Sequence, residues 1–243
     1  MINFFLLTAL FSIIDETKPS STPVATFSIV ARDPDTGEIG VAVQSRIVAV
    51  GAVVPWAQAE VGAIATQSFA NVNYGSEGLK LLEIGKKPKE VIKLLVEKDK
   101  NKHFRQVGVL SVDGQSFHYT GKSCIDWAGG ISKKNYSVQG NILESGDVLK
   151  AMSEDFENSY GKKPLGGRLI AALKAGQSAG GDKRGQQSAA LLIVRKDWGY
   201  GGNNDKFRDL RVDEHLTPID ELHRIYLKHC ELFPRPEKYD IKK

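Results

Sequence analysis

The 243-residue chain has little of what most metal, redox and nucleic-acid proteins depend on. Only two cysteines occur, Cys124 and Cys230. They are too far apart for a CxxC metal or redox motif, and sequence does not place them near each other. The five histidines supply no metal spacing. His223 and His229 are six apart on one helical pattern, and His215 stands beside Asp213 and Glu214 without a second histidine at ligand distance. No metal or other cofactor is expected. The Gly-x4-Gly-Lys-Ser/Thr phosphate loop is absent, and so is a Gly-x-Ser-x-Gly nucleophile elbow. The net charge of +4 comes partly from lysine-rich stretches such as Lys86-Lys87-Pro88-Lys89. These are not interleaved with aromatics, so no nucleic-acid partner is expected. No apolar run reaches the roughly 20 residues that span a bilayer.

What is present begins with a leader. Phe4 to Ile14 is a short, mostly apolar run of the length found in a signal-peptide core. The polar stretch Asp15–Val24 follows and ends at Ala25. Met1-Ile2-Asn3 lacks the usual basic residues, and Pro23 stands where a small residue is preferred. On this reading residues 1–25 are removed, residues 26–243 form one domain, and the protein is secreted or periplasmic without a membrane partner. Cleavage after Ala25 would expose Thr26.

A threonine at a free N-terminus carries a hydroxyl nucleophile and an α-amine on one residue. The amine, with an ordinary pKa of about 7.7–8.0, can take the hydroxyl proton near neutral pH. Strand threonines are common, and the leader boundary is what singles this one out.

Periodicity then orders the chain. Thr26–Ala31 and Ile39–Gln44 read as strands joined by the turn residues Asp33 to Gly37. Ile47–Val54 reads as a strand buried on both faces, as does Val61–Gln67. Ser76–Ile84, with Ser76 as N-cap, and Pro88–Glu97 have helical spacing. Arg105–Val112 and Ser116–Thr120 form a hairpin over Asp113-Gly114. Asp147–Tyr160 and Leu165–Ala175 are helical, and Ser188–Arg195 and Phe207–Val212 are strands. Pro218–Leu232 is a terminal amphipathic helix. Blocks of strands alternating with helix pairs predict an α+β fold with antiparallel sheets covered by helices.

Several polar residues at strand ends and in loops could serve such a nucleophile. Gln67, Asn71 and the run Gln139-Gly140-Asn141 end or follow strands, where an amide can donate to a developing oxyanion. Arg46, after the second strand, could tune the amine or bind a carboxylate. The loop Gly180 to Ser188 holds Asp182, Arg184, Gln187 and Ser188 ahead of a buried strand, a place for substrate contacts.

The segments TFSIVARDPDTGEIGVAVQSR (26–46), VPWAQAEVGAIATQSFAN (54–71), RQVGVL (105–110), QGNIL (139–143), AGGDKRGQQSAALLIV (179–194) and DLRVDEH (209–215) together resemble the family called domain of unknown function 1028, grouped among N-terminal-nucleophile (Ntn) hydrolases. The resemblance runs from Thr26 to about His229. It implies a four-layer αββα sandwich of two antiparallel sheets, with Thr26 at the mature N-terminus. Arg46, Gln67, Asn71, Asn141, Asp182, Arg184 and Gln187 fall on the family's recurrent polar positions. After Trp127 this chain reads Ala-Gly-Gly where relatives often read Ala-Gly-His, so Gly130 departs from the pattern.

Two functions follow as expectations. The first is an exported amidohydrolase in which Thr26 attacks an amide of a small molecule or peptide. There Asn141 or Asn71 would hold the oxyanion, and Arg46 and the 182–188 loop would tune the amine or bind substrate. The second is a non-catalytic ligand-binding protein of the cell envelope on the same fold. Self-assembly into a homo-oligomer is compatible with either.

Overall fold

The computed structural model describes residues 26–236. The expected leader lies outside the described residues. Strand β1 (Thr26–Arg32) turns back into β2 (Ile39–Ser45). The turn is built by Asp33, whose carboxylate accepts the N–H groups of Asp35 (2.9 Å) and Thr36 (3.3 Å). Gly37 takes the left-handed conformation the turn requires, at φ +74°. The chain continues through β3 (Pro55–Gln58), β4 (Gly62–Ser68), α1 (Asn73–Glu83), α2 (Pro88–Glu97), β5 (Arg105–Ser111) and β6 (Ser116–Thr120). It ends with β7 (Gly129–Lys133), β8 (Tyr136–Asn141), α3 (Asp147–Asn158), α4 (Leu165–Ser178), β9 (Ser188–Val194), β10 (Lys206–Val212) and α5 (Pro218–Leu232).

All strand pairing is antiparallel. One sheet has six strands in the order β10-β9-β2-β1-β8-β7, the other four in the order β3-β4-β5-β6. The described residues therefore form an α+β fold with two antiparallel sheets and five α-helices, as the block order of the sequence predicts. Alternation along each strand sorts side chains into three apolar layers. Phe27, Ile29 and Ala31 of β1 pack with Leu149, Met152, Leu169 and Leu173 of α3 and α4. Val30, Val41 and Val43 meet Ala63, Ala65 and Leu110 of the other sheet. Ile64, Val107 and Val109 meet Leu79, Val91 and Leu95 of α1 and α2.

Two expectations need correction. Ile47–Val54 is not a strand: the ladder of β2 stops at Ser45, Ala49 turns left-handed at φ 56°, and Val50–Ala52 is a 3₁₀ turn. Val50 and Val54 are still fully buried, so burial was legible but extension was not. β9 already pairs along β2, and the turn lies close against it: a Cβ on Gly51 would lie 2.8 Å from the Cβ of Ala190. Ser76 is not a cap. Helix α1 begins earlier, at Asn73, and its first amide donates to the Asn71 side chain at 3.2 Å. Two short edge strands were not expected: β3, which opens on Pro55, and β7.

Candidate functional site

Thr26 opens β1 between β2 and β8, with Ser45 and Asn141 as its register partners. The even-numbered residues of β1 face the second sheet, so Thr26, Ser28 and Val30 line the space between the sheets. That space is divided. At the Val30 end it is aliphatic. At the Thr26 end it holds Ser28, Ser45, Gln67, Gln106, Gln139 and Asn141, each 0% exposed. Amides so buried are costly unless hydrogen-bonded, and these bond to one another.

The Thr26 hydroxyl donates to Ser45 Oγ at 3.1 Å. Gln67 Nε2 donates to the Thr26 carbonyl (3.3 Å), to the Gln139 carbonyl (3.3 Å) and to Gln106 Oε1 (2.8 Å). Asn141 Nδ2 donates to the same Gln106 oxygen at 3.0 Å. Ser28 Oγ donates to Gln67 Oε1 (2.5 Å) and accepts from Gln139 Nε2 (2.7 Å). Gly108 makes the packing possible, because a Cβ there would lie 2.1 Å from Gln139 Oε1.

Of the residues singled out from sequence, Thr26, Gln67 and Asn141 belong to this cluster. Arg46 follows Ser45 at the exposed rim, and its Nε donates to the Arg184 carbonyl at 3.2 Å. The loop that carries Arg184 is drawn to the same end of the sheet. Gln187 N–H donates to the Ser45 carbonyl (3.0 Å) and Lys183 N–H to the Ile142 carbonyl (3.0 Å). Asp182, 3% exposed, accepts from the Arg184 backbone N–H (2.9 Å) and guanidinium (3.0 Å). Ser188 Oγ donates to the Ile47 carbonyl (2.6 Å) and accepts from Val50 N–H (3.1 Å), which ties down the turn after β2.

Asn71 is not brought to the cluster. Besides starting α1, its Nδ2 donates to Asp99 at 3.3 Å. Asp99 also takes Arg105 (2.8 Å) and the Tyr74 hydroxyl (2.9 Å). Burial pushes the Asp99 carboxyl up, but the bonds from Arg105, Asn101 N–H and Tyr74 outweigh it and hold the pKa below the ordinary 3.8. A lowered folded-state pKa means stability that is complete above 3.8 and lost as pH falls through the folded value. The acid limb of an unfolding profile should therefore flatten below pH 3.8 in Asp99→Asn. An unchanged limb would show that Asp99 contributes nothing to it.

Ser28, Ser45 and Gln106 were not found from sequence. Alternating polar residues in a strand read as a solvent face, whereas here they face another sheet. Amides recurring at like ends of separate strands were the available signal. At Gly130, the place a Cβ would occupy is filled by the His118 ring, 2.5 Å away. Cys124 and Cys230 are not joined by a disulfide. A cavity of about 630 Å³, lined by Trp198, Tyr200, Phe207, His229 and Phe233, lies between β10 and the end of α5. No member of the Thr26 cluster lines it. Among the described residues no group of His, Cys, Asp or Glu could hold a metal, and no helix is long and apolar enough to cross a membrane.

The chain belongs to the family of unknown function DUF1028, whose profile matches residues 26–222. A solved DUF1028 protein of Silicibacter pomeroyi is similar in sequence and fold, with 31% identity and a TM-score of 0.77. The match covers 85% of this chain and 89% of that one. Anbu (ancestral beta-subunit) of Yersinia bercovieri matches at 11% identity and a TM-score of 0.39, over 88% of this chain and 99% of that one. A search of curated proteins gives no match.

Proposed function

We propose that this DUF1028 member is an exported amidohydrolase of the Ntn type, with Thr26 as nucleophile. Residues 1–25 are a leader whose removal frees the Thr26 amine. The stacked sheets and flanking helices are then read as the αββα sandwich of that class. One observation carries the reading. Thr26 is the first residue of an interior strand, and its hydroxyl enters a buried polar layer between two sheets whose other side chains are held by one another.

The chemistry follows from these positions. The neutral amine takes the Thr26 hydroxyl proton as the oxygen attacks an amide carbonyl. Ser45, at 3.1 Å, fixes the hydroxyl, and β-branching narrows χ1. Gln67 holds the Thr26 carbonyl. The Asn141 amide, directly across the ladder, supplies a donor to the oxyanion. The leaving amine takes a proton and departs, and water cleaves the acyl ester. Arg46 and the Asp182–Gln187 loop line the rim where substrate enters.

The test is expression with the natural leader in a secreting host, then treatment with a β-lactone, whose ring opening esterifies a hydroxyl nucleophile. The expected product is a chain starting at Thr26 and carrying one acyl group on that residue. A chain starting at Thr26 that resists both the lactone and a panel of amides would overturn the hydrolase and leave a ligand-binding protein. A chain that retains residues before Thr26 would overturn the mechanism.

A further inference from the structure

We propose that His118 is a positioning residue for Thr26, the donor end of a one-way chain of hydrogen bonds that runs to Gln67 Oε1 and supports the orientation in which Gln67 Nε2 meets the Thr26 carbonyl. Its catalytic consequence rests on the hydrolase reading; its structural content does not.

The direction of the chain is dictated by backbone. Gln67 presents one end of its amide to the carbonyl oxygens of Thr26 and Gln139, both at 3.3 Å. Carbonyls only accept, so that end is Nε2 and the other is Oε1. Oε1 must therefore accept from Ser28 Oγ (2.5 Å), which spends its proton there. Ser28 then accepts from Gln139 Nε2 (2.7 Å), leaving Gln139 Oε1 to accept from Ser137 Oγ (3.0 Å). Ser137, its proton spent, accepts from Ser132 Oγ (2.9 Å). Ser132 has in turn spent its only proton, so its contact with His118 Nδ1 (2.8 Å) needs the proton on the histidine.

His118 is thus an Nδ1–H imidazole, whether or not Nε2 is protonated. The Nε2–H tautomer would set two lone pairs against each other, or turn the Ser132 and Ser137 hydroxyls round and take the Ser137 proton away from Gln139 Oε1. Burial lowers the ring's pKa, which favours the neutral form. Gly130 makes room for the ring, since a Cβ there would be 2.5 Å from its carbon.

The test uses the full mature chain labelled with ¹⁵N-histidine. Long-range ¹H–¹⁵N spectra, assigned with the His118 variants, should show a protonated Nδ1 for His118 at neutral pH. An Nε2–H tautomer overturns the proposal. The second readout is the Gln67 side-chain amide signal, expected to be protected from exchange. His118→Asn, whose amide N–H replaces Nδ1–H, should keep that protection and the lactone acylation rate within about threefold. His118→Leu and Ser132→Ala should lose the protection and slow acylation about tenfold, the scale of one lost hydrogen bond. Gly130→Ala, which displaces the ring, should behave like His118→Leu. Should His118→Leu fail to fold, Ser132→Ala carries the comparison. Equal behaviour of Ser132→Ala and wild type in both readouts overturns the positioning role. If wild type is not acylated at all, the hydrolase reading fails while the tautomer and the Gln67 signal still decide this one.

Discussion

Thr26→Ala is expected to lose acylation by the β-lactone, and amide turnover, by roughly three orders of magnitude or more, the scale seen when a hydrolase nucleophile is removed. The same substitution should barely disturb the fold. Its structural cost includes the hydroxyl bond from Thr26 to Ser45 at 3.1 Å, about 1 kcal/mol. For a chain of this size that is a drop of about 2–4 °C in Tm. The disproportion is the diagnostic. A strand threonine that serves only β propensity would lose stability and chemistry together or neither. Thr26→Ser keeps the hydroxyl and gives up only the β-methyl that narrows χ1, so it should remain acylated, more slowly. Undiminished acylation of Thr26→Ala would remove Thr26 from the mechanism even if the mature chain begins there.

The elements most legible in the sequence were those with local punctuation. Asp33 to Gly37 marked the β1–β2 hairpin, and Asp113-Gly114 the β5–β6 hairpin. Pro88 and Pro218 marked the first turns of α2 and α5, whose observed bounds coincide with the periodic segments. What sequence could not supply was any fact set by a distant partner. Ile47–Val54 is apolar enough for a buried strand, but β9 already occupies the edge of β2. Asn71 looked like an amide beside Gln67 because they are four residues apart. Yet Gln67 points between the sheets, while Asn71 lies beyond the strand end and bonds Asp99. Ser28 and Gln106 were silent for the same reason. Polar alternation normally signals water on that face, and here that face meets a second polar sheet. Thr26, Gln67 and Asn141 were visible because strand ends are local features. The network that holds them is not.

Asp33→Ala is expected to cost about 3–5 kcal/mol, the scale of stranding one member of a buried ion pair. Asp33 is 0% exposed and Arg168, on α4, 2%. Their nearest charged atoms are 3.8 Å apart. The guanidinium is also held by the Phe156 carbonyl (3.1 Å) and stacks over the Phe156 ring at 4.1 Å, so it cannot swing to solvent when its carboxylate is removed. Asp33 has a second task as turn acceptor, and the two can be separated by urea unfolding. Asp33→Asn keeps an acceptor for the turn and loses the charge, so it should recover only part of the loss. Asp33→Ala combined with Arg168→Met removes both charges and should be more stable than Asp33→Ala alone, a coupling of opposite sign to the single losses. A double variant no more stable than Asp33→Ala would mean that the turn, not the ion pair, carries the cost. The pair matters to the site because it fastens the far end of β1 to the helical layer. In a strand, a slip of one residue turns every side chain to the opposite face. Such a slip would carry Thr26 out of the polar layer between the sheets and put Phe27 in its place. The buried charge 7 residues along the chain from Thr26 to Asp33 thus guards the register on which the proposed nucleophile depends.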